Sequence, residues 1–279
     1  MRLTDTIKSA DDLTKQYKDS ANLNARSAIY RFSDGKGWGP DAGFTQMLEK
    51  IPVNADVLEL GCGPGGLWKN RIDRVPQNWR IVLTDVMPGM VNEASAALTS
   101  DARFRVKQMD AQSLDLPDES FDAVVANHML YHVEDRARAL GEIRRVLKPN
   151  GWLFAATNSE LHLAKIRKLL DEFIPNTPSI LAGELPFSLE NGQGQLRSFF
   201  EDVTIQCGPS ELRVKEAEAV VQYVLSVGDA RETLVGPRLD ALRKRVQAEI
   251  DACGTFLDQA NAGMFIARRV LSQKPCVPD

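Results

Sequence analysis

The run VLELGCGPGG, from Val57 to Gly66, most tightly limits what this chain can fold into: a short apolar strand that ends in a glycine turn. Val57, Leu58 and Leu60 suit a buried strand. Gly61, Gly63, Gly65 and Gly66 tolerate positive φ and let backbone N–H groups approach a ligand with no Cβ in the way. The following LWKNRIDRV sets Leu67, Trp68, Ile72 and Val75 at helical spacing, which predicts one helix opening from the turn. Strand, turn and helix together make a cradle for a cofactor.

The glycines alone leave that cofactor open. Gly61, Gly63 and Gly66 satisfy G-x-G-x-x-G, and Asp85 follows at about the 20-residue distance where a ribose-binding acid is expected in dinucleotide folds. A nicotinamide or flavin enzyme is therefore one reading. Three features point elsewhere: Glu59 interrupts an otherwise apolar strand, Pro64 stiffens the turn, and a second acidic strand end follows at Asp110. Together they favour a smaller, zwitterionic nucleoside ligand.

Five strand candidates recur: DVLEL ending at Gly61, RIVLTD at Asp85, RFRVKQMD at Asp110, FDAVVAN at Asn127 and WLFAATN at Asn158. Helical patterns separate most of them. In the clearest, Ala137 to Leu147, Leu140, Ile143, Val146 and Leu147 share one face before Pro149, Asn150 and Gly151. Such alternation predicts an α/β, Rossmann-like, doubly wound and mostly parallel seven-stranded sheet, with ligands at the carboxyl ends of the strands. Phe44, Met47, Leu48 and Ile51 mark a helix in an N-terminal helical cap beside the pocket. A helix is expected around Leu161 to Phe173, then a mobile surface segment over the site from Pro175 to Gly194. VTIQCG (203–208) and GMFIARRV (263–270) read as the last two strands. Between them, Leu239, Leu242, Val246 and Ile250 mark helical insertions in the C-terminal part. No linker splits the chain, so a single domain over 1–279 is expected: cap 1–52, cofactor-binding core 53–158, acceptor-side elements 159–279.

The formal net charge of −4 supplies no general attraction to phosphate backbones, so nucleic acid is not an expected partner. No apolar run of about 18 residues spans a bilayer, and the N-terminus lacks the apolar core of a signal peptide. No membrane contact and a cytoplasmic location follow as expectations. The four cysteines lack C-x-x-C spacing and read as free thiols, Cys62 as a small side chain filling the turn; no metal site is expected.

Four pieces in order, VLELGCGPGG, the acid of LTDVMPGM, DAQSLDLPDESFDAVVANHMLYHV and RALGEIRRVLKPNGWLFAATN, resemble the class I S-adenosylmethionine-dependent methyltransferases. The pattern is most similar to the small-molecule, ubiquinone/menaquinone-methyltransferase-like group, over about Ala55 to Asn158. The resemblance implies S-adenosylmethionine as cofactor and S-adenosylhomocysteine as product. It implies that Gly61, Gly63 and Gly65 pass beneath the methionine part, whose carboxylate the turn and helix N-terminus favour, with Glu59 acting indirectly. Asp85 would accept both ribose hydroxyls, Asp110 the adenine amino group, and the Ala111 N–H would donate to the ring. Val86 and Met87 would pack on the adenine, with Met87 standing where relatives often carry serine. Asn127 or His128 would hold the methionine end, and Tyr17 resembles a tyrosine that closes over the cofactor.

For an activated methyl group the enzyme mainly has to align the nucleophile and exclude water. If the acceptor is a hydroxyl, His128 and His132 are the candidate catalytic bases. Tyr30, Phe32, Trp38, Phe44, Phe187, Phe199, Phe200 and Tyr223 offer an aromatic lining for the acceptor pocket, and Arg26 a partner for an acceptor carboxylate or phosphate. The reading is methyl transfer to a small aromatic or apolar metabolite by a monomer or homodimer. The alternatives are an NAD(P) oxidoreductase, a cofactor-binding cyclase or lyase, a non-enzymatic S-adenosylmethionine-binding regulatory protein, and an RNA or protein methyltransferase.

Overall fold

The computed structural model describes residue 14, residues 16–174 and residues 185–270. Helix α1 (Ala21–Ser27) continues into a 3-10 turn (Ala28–Phe32), and α2 (Pro40–Lys50) starts on proline, whose missing N–H would have no partner at the first helical position anyway. Then come β1 (Asp56–Leu60), the single turn α3 (Gly66–Lys69), β2 (Arg80–Asp85), α4 (Pro88–Leu98), β3 (Phe104–Gln108) and β4 (Phe121–Val125). Helix α5 (Arg136–Val146) is capped by the Asp135 carboxylate, which accepts from the Arg138 N–H at 3.0 Å, and feeds β5 (Leu147–Asn158). Next are α6 (Ala164–Phe173), α7 (Gly192–Arg197) and β6 (Asp202–Val214). The helices α8 (Ala217–Leu225), α9 (Ala230–Thr233) and α10 (Pro237–Cys253) precede β7 (Phe256–Arg268).

The seven strands form one sheet in the order β3-β2-β1-β4-β5-β7-β6. From β3 to β5 the pairs are parallel; β7 runs antiparallel between β5 and β6. Strand order therefore reverses between β1 and β4, and the crevice beyond their carboxyl ends is where such sheets bind ligands. Strand alternation divides the core. Leu58, Leu60, Val124, Leu153 and Phe265 face α5 and α7, while Val57, Leu83, Val125, Phe154 and Ile266 face α2, Trp68 and α4.

The final pair of strands is longer than its sequence pattern suggests. Strand β7 pairs with β5 only from Asn158↔Ala262 to Trp152↔Arg268, yet with β6 along its whole length to Val214↔Phe256. Residues 256–261 thus project past the carboxyl edge of the parallel strands. On that projection a third cluster gathers, with Leu212, Val214 and Phe256 packed against Ile166, Val224, Leu242 and Val246. The helical insertions consequently sit above the crevice.

Two local expectations are corrected. LWKNRIDRV is not one helix: α3 ends at Lys69, the chain bends at Arg71 (φ −138°), and Ile72–Arg74 is a separate 3-10 turn. Trp68 causes the break by burying completely against Phe44, Trp79 and Phe104, while Arg71 turns back to donate to the Leu67 carbonyl and pair with Asp41. The segment Pro175–Gly194 is not a surface loop where it is described. Residues 175–184 lie outside the described residues, but Leu185, Phe187 and Ser188 are buried, and the Phe187 carbonyl accepts from the Thr157 hydroxyl at 2.8 Å.

Candidate active site

The glycine turn is held from the end of β2. The Cys62 N–H donates to the Thr84 carbonyl and the Gly63 N–H to Asp85 Oδ2, both at 2.9 Å. Gly61, at φ +64°, passes so close to the chain after β4 that an added Cβ would meet Met129 Cβ at 2.6 Å. The Cys62 thiol is buried, and burial pushes its pKa up, away from any nucleophilic role. Cys207 and Cys253 are exposed free thiols; Cys276 lies outside the described residues.

Glu59 shares the Trp68 face of β1, as period two requires, and its Oε2 accepts from the Trp68 indole N–H at 2.6 Å. Burial raises its pKa to about 8, with the nearby Asp85 adding to the rise, so it carries a proton at neutral pH. It therefore acts on the turn at one remove, through the indole that anchors α3.

Asp85 is buried at the end of β2, and its other oxygen accepts from the Met87 N–H at 2.9 Å. Burial raises its pKa while the Met87 and Gly63 N–H groups lower it. A carboxylate has about four lone-pair sites, so two backbone bonds leave capacity for a pair of ligand hydroxyls. Val86 is 48% exposed, and its carbonyl is fixed by Gln108 Nε2 at 2.9 Å. Asp110 is exposed, folding back to accept from the Gln112 N–H at 2.8 Å, and Ala111 beside it is buried.

At the end of β4, Asn127 Oδ1 is buried without a hydrogen-bond partner among the described residues. Buried acceptors are nearly always satisfied, so this orphan marks a place for a donor from a ligand. His128 adopts a left-handed φ of +53°, its N–H bound to the Ala156 carbonyl at 2.8 Å, and burial lowers its pKa to about 4. The Tyr17 hydroxyl and His132 Nε2 share a hydrogen bond of 2.8 Å, their rings edge to face. Burial raises the Tyr17 pKa against the opposing charge and hydrogen bond of Arg26.

Sequence reasoning missed a second pair. His162 Nδ1 lies 3.1 Å from the Asn261 carbonyl, which only accepts, so Nδ1 carries the proton and Nε2 accepts from the Tyr30 hydroxyl at 2.9 Å. Burial lowers the His162 pKa to about 3, with His128 next in effect. Tyr30 keeps 39% of its surface open although burial dominates its proton affinity; Tyr17, His128 and Tyr131 also combine deep position with partial exposure. Of the aromatic residues expected to line a pocket, Tyr30 is exposed, whereas Tyr223 is buried in the third cluster. Phe44, Phe187 and Phe200 are instead fully buried core, with Phe199 packed on it and Trp38 and Phe32 against other core clusters.

Comparison with known proteins fits this geometry. Residues 58–155 match the family described as methyltransferase domain. A ubiquinone/menaquinone biosynthesis C-methyltransferase UbiE of Francisella tularensis subsp. novicida is 30% identical over 121 residues, 42% of this chain and 48% of that protein. The chain thus spans about half the length of the curated relatives it matches. Two solved structures share the fold. One is a Haemonchus contortus phosphoethanolamine N-methyltransferase 2, in complex with phosphomonomethylethanolamine and S-adenosylhomocysteine (TM-score 0.57, 17% identity, 94% of this chain and 60% of that one). The other is the [4+2]-cyclase SpnF (TM-score 0.56, 21% identity, 94% of each chain). Residues 58–155 are a methyltransferase domain, and over that span the chain is similar to the class I S-adenosylmethionine-dependent methyltransferases.

Proposed function

We propose that this protein transfers a methyl group from S-adenosylmethionine to a small aromatic or apolar metabolite. The observation that carries the proposal is one junction at the ends of β1, β2 and β4, where a positive-φ glycine turn, the buried Asp85 carboxylate and the unsatisfied Asn127 Oδ1 meet. These groups suit a ligand with a carboxylate, vicinal hydroxyls and an ammonium donor. In this reading Gly61, Gly63 and Gly65 receive the methionine carboxylate, Asn127 its ammonium group, and Asp85 the ribose hydroxyls. Asp110 and the Ala111 N–H read the adenine edge, with Val86 and Met87 against its face.

The bound cofactor supplies a methyl group that is already activated. The protein contributes alignment and exclusion of water, with Tyr17 closing from the N-terminal side. Of the two candidate bases, His132 is favoured: Tyr17 fixes its ring, whereas His128, with a pKa of about 4, holds a proton poorly near neutrality. The name of the UbiE-type relatives, C-methyltransferase, favours carbon as the accepting atom.

The test is calorimetric titration with S-adenosylmethionine, S-adenosylhomocysteine, NAD and NADP. Micromolar binding of the first two alone is the expected result; preference for a dinucleotide, or no binding of the first pair, overturns the reading.

A further inference from the structure

Arg26 is a cation placed among tyrosines rather than acids. Its guanidinium lies 5.4 Å from the centre of the Tyr17 ring, and its charge opposes the rise that burial gives the Tyr17 pKa. Its charge reaches Tyr30, Tyr131 and Tyr223 as well, in each case against burial, which raises their pKa. Tyr30 follows at i+4 along the continuous helical path of α1, so the two share a face.

Among the described residues Arg26 takes part in no ion pair. The acids acting on these tyrosines are engaged elsewhere. Asp85 holds Gly63 and Met87, while Asp258 accepts from the Lys165 and Ile166 N–H groups at the start of α6 and from the Gln259 N–H beside it in β7. Arg167, which acts on Tyr223 and His162, donates to the Glu160 carbonyl. His128 and His162 are neutral at pH 7. Among the described residues this partly buried guanidinium has phenols around it and no carboxylate paired to it, which leaves its charge uncompensated.

We propose that Arg26 recognises a carboxylate on the methyl acceptor. The substrate class is then a small aromatic or apolar carboxylic acid. The inference rests on the methyl-transfer reading for the word acceptor, though not for the binding site. One guanidinium compensates one negative charge, and its planar fork matches the two oxygens of a carboxylate. A phosphate dianion would leave a buried negative charge uncompensated, which favours the carboxylate.

The test uses the full chain, with and without saturating S-adenosylhomocysteine. It is titrated with 4-hydroxybenzoate, phenylacetate and hexanoate, with the uncharged amide of each, and with phenyl phosphate. At least one acid should bind about tenfold or more tighter than its amide, as expected for a charge-assisted pair worth about 1.4 kcal/mol. Arg26→Gln should bring that acid to the level of its amide, and Arg26→Lys should restore part of the preference. The proposal is overturned if no acid outruns its amide, if the preference survives Arg26→Gln, or if phenyl phosphate outruns every acid. Because the preference is also read without S-adenosylhomocysteine, failure of that ligand to bind strikes the methyl-transfer reading alone.

Discussion

The Tyr17 hydroxyl lies 2.8 Å from His132 Nε2, joining the segment ahead of α1 to the loop after β4 across 115 positions of sequence. The segment is pinned elsewhere too: Gln16 bonds the Ser226 carbonyl and the Gly228 N–H, and the Ser20 N–H donates to Glu93 Oε1 at 2.9 Å. Residues 16–20 therefore form a strap across the crevice.

If the strap closes over the cofactor, its hydrogen bond to His132 contributes to ligand affinity. Tyr17→Phe and His132→Ala should each weaken S-adenosylhomocysteine binding by roughly 3- to 30-fold, the range set by losing one partly buried hydrogen bond. The double variant should be little worse than the weaker single one, since both remove the same contact. Additive losses in the calorimetric cycle would show that the residues act separately.

Asp85 serves the fold before it serves any ligand, because its two oxygens tie the glycine turn to the start of α4. Asp85→Ala should lower unfolding free energy by about 1–3 kcal/mol, leaving two N–H groups without their acceptor. It should also weaken cofactor binding by about tenfold or more. Denaturant unfolding and titration of the same sample separate the effects. A variant of full stability and full affinity would remove Asp85 from the site.

Much of this site was legible from short-range sequence. Glycine spacing, the period-two apolar pattern of β1 and the polar ends of the strands, Asp85, Asp110 and Asn127, are local signals, and the structure places Asp85, Asn127 and the turn at the carboxyl ends of β2, β4 and β1. The Tyr30–His162 pair had no such signal, since its members are 132 positions apart and meet only through the lobe carried by β6 and β7. The sequence pattern carries β6 only to Gly208, the residue before Pro209. The strand lies at the sheet edge, where the loss of an N–H is tolerated, and runs on to Val214. The start of β7 is disguised by Asp258, a polar residue buried because it caps α6.

Glu59 should give the protein a pH-dependent stability of definite sign. The folded chain keeps its proton up to about pH 8, the unfolded chain only to the ordinary value of 4.5. Its contribution is fully present below the lower value and is lost as pH rises through the upper one, because unfolding then releases a proton. Glu59→Gln, which mimics the neutral acid, should flatten the decline in urea-unfolding free energy between about pH 5 and pH 8 and exceed the parent in stability at the alkaline end. Parallel profiles for the two proteins would mean that Glu59 ionises normally within the core.

Gly89 sets how closely the strap can lie. It is the second residue of α4, and an added Cβ would stand 1.9 Å from the Lys18 carbonyl oxygen, a backbone atom that cannot rotate away. The helix itself accepts alanine better than glycine, by about 1 kcal/mol in a helix interior. Gly89→Ala should therefore keep α4 and the sheet intact while lifting residues 17–19 from the crevice. The expected signature is a cooperative unfolding transition near that of the parent, together with faster hydrogen exchange in residues 16–20 and weaker S-adenosylhomocysteine binding. Loss of the unfolding transition would assign the glycine to the core of the fold, and unchanged exchange with unchanged affinity would mean that the strap does not cover the ligand.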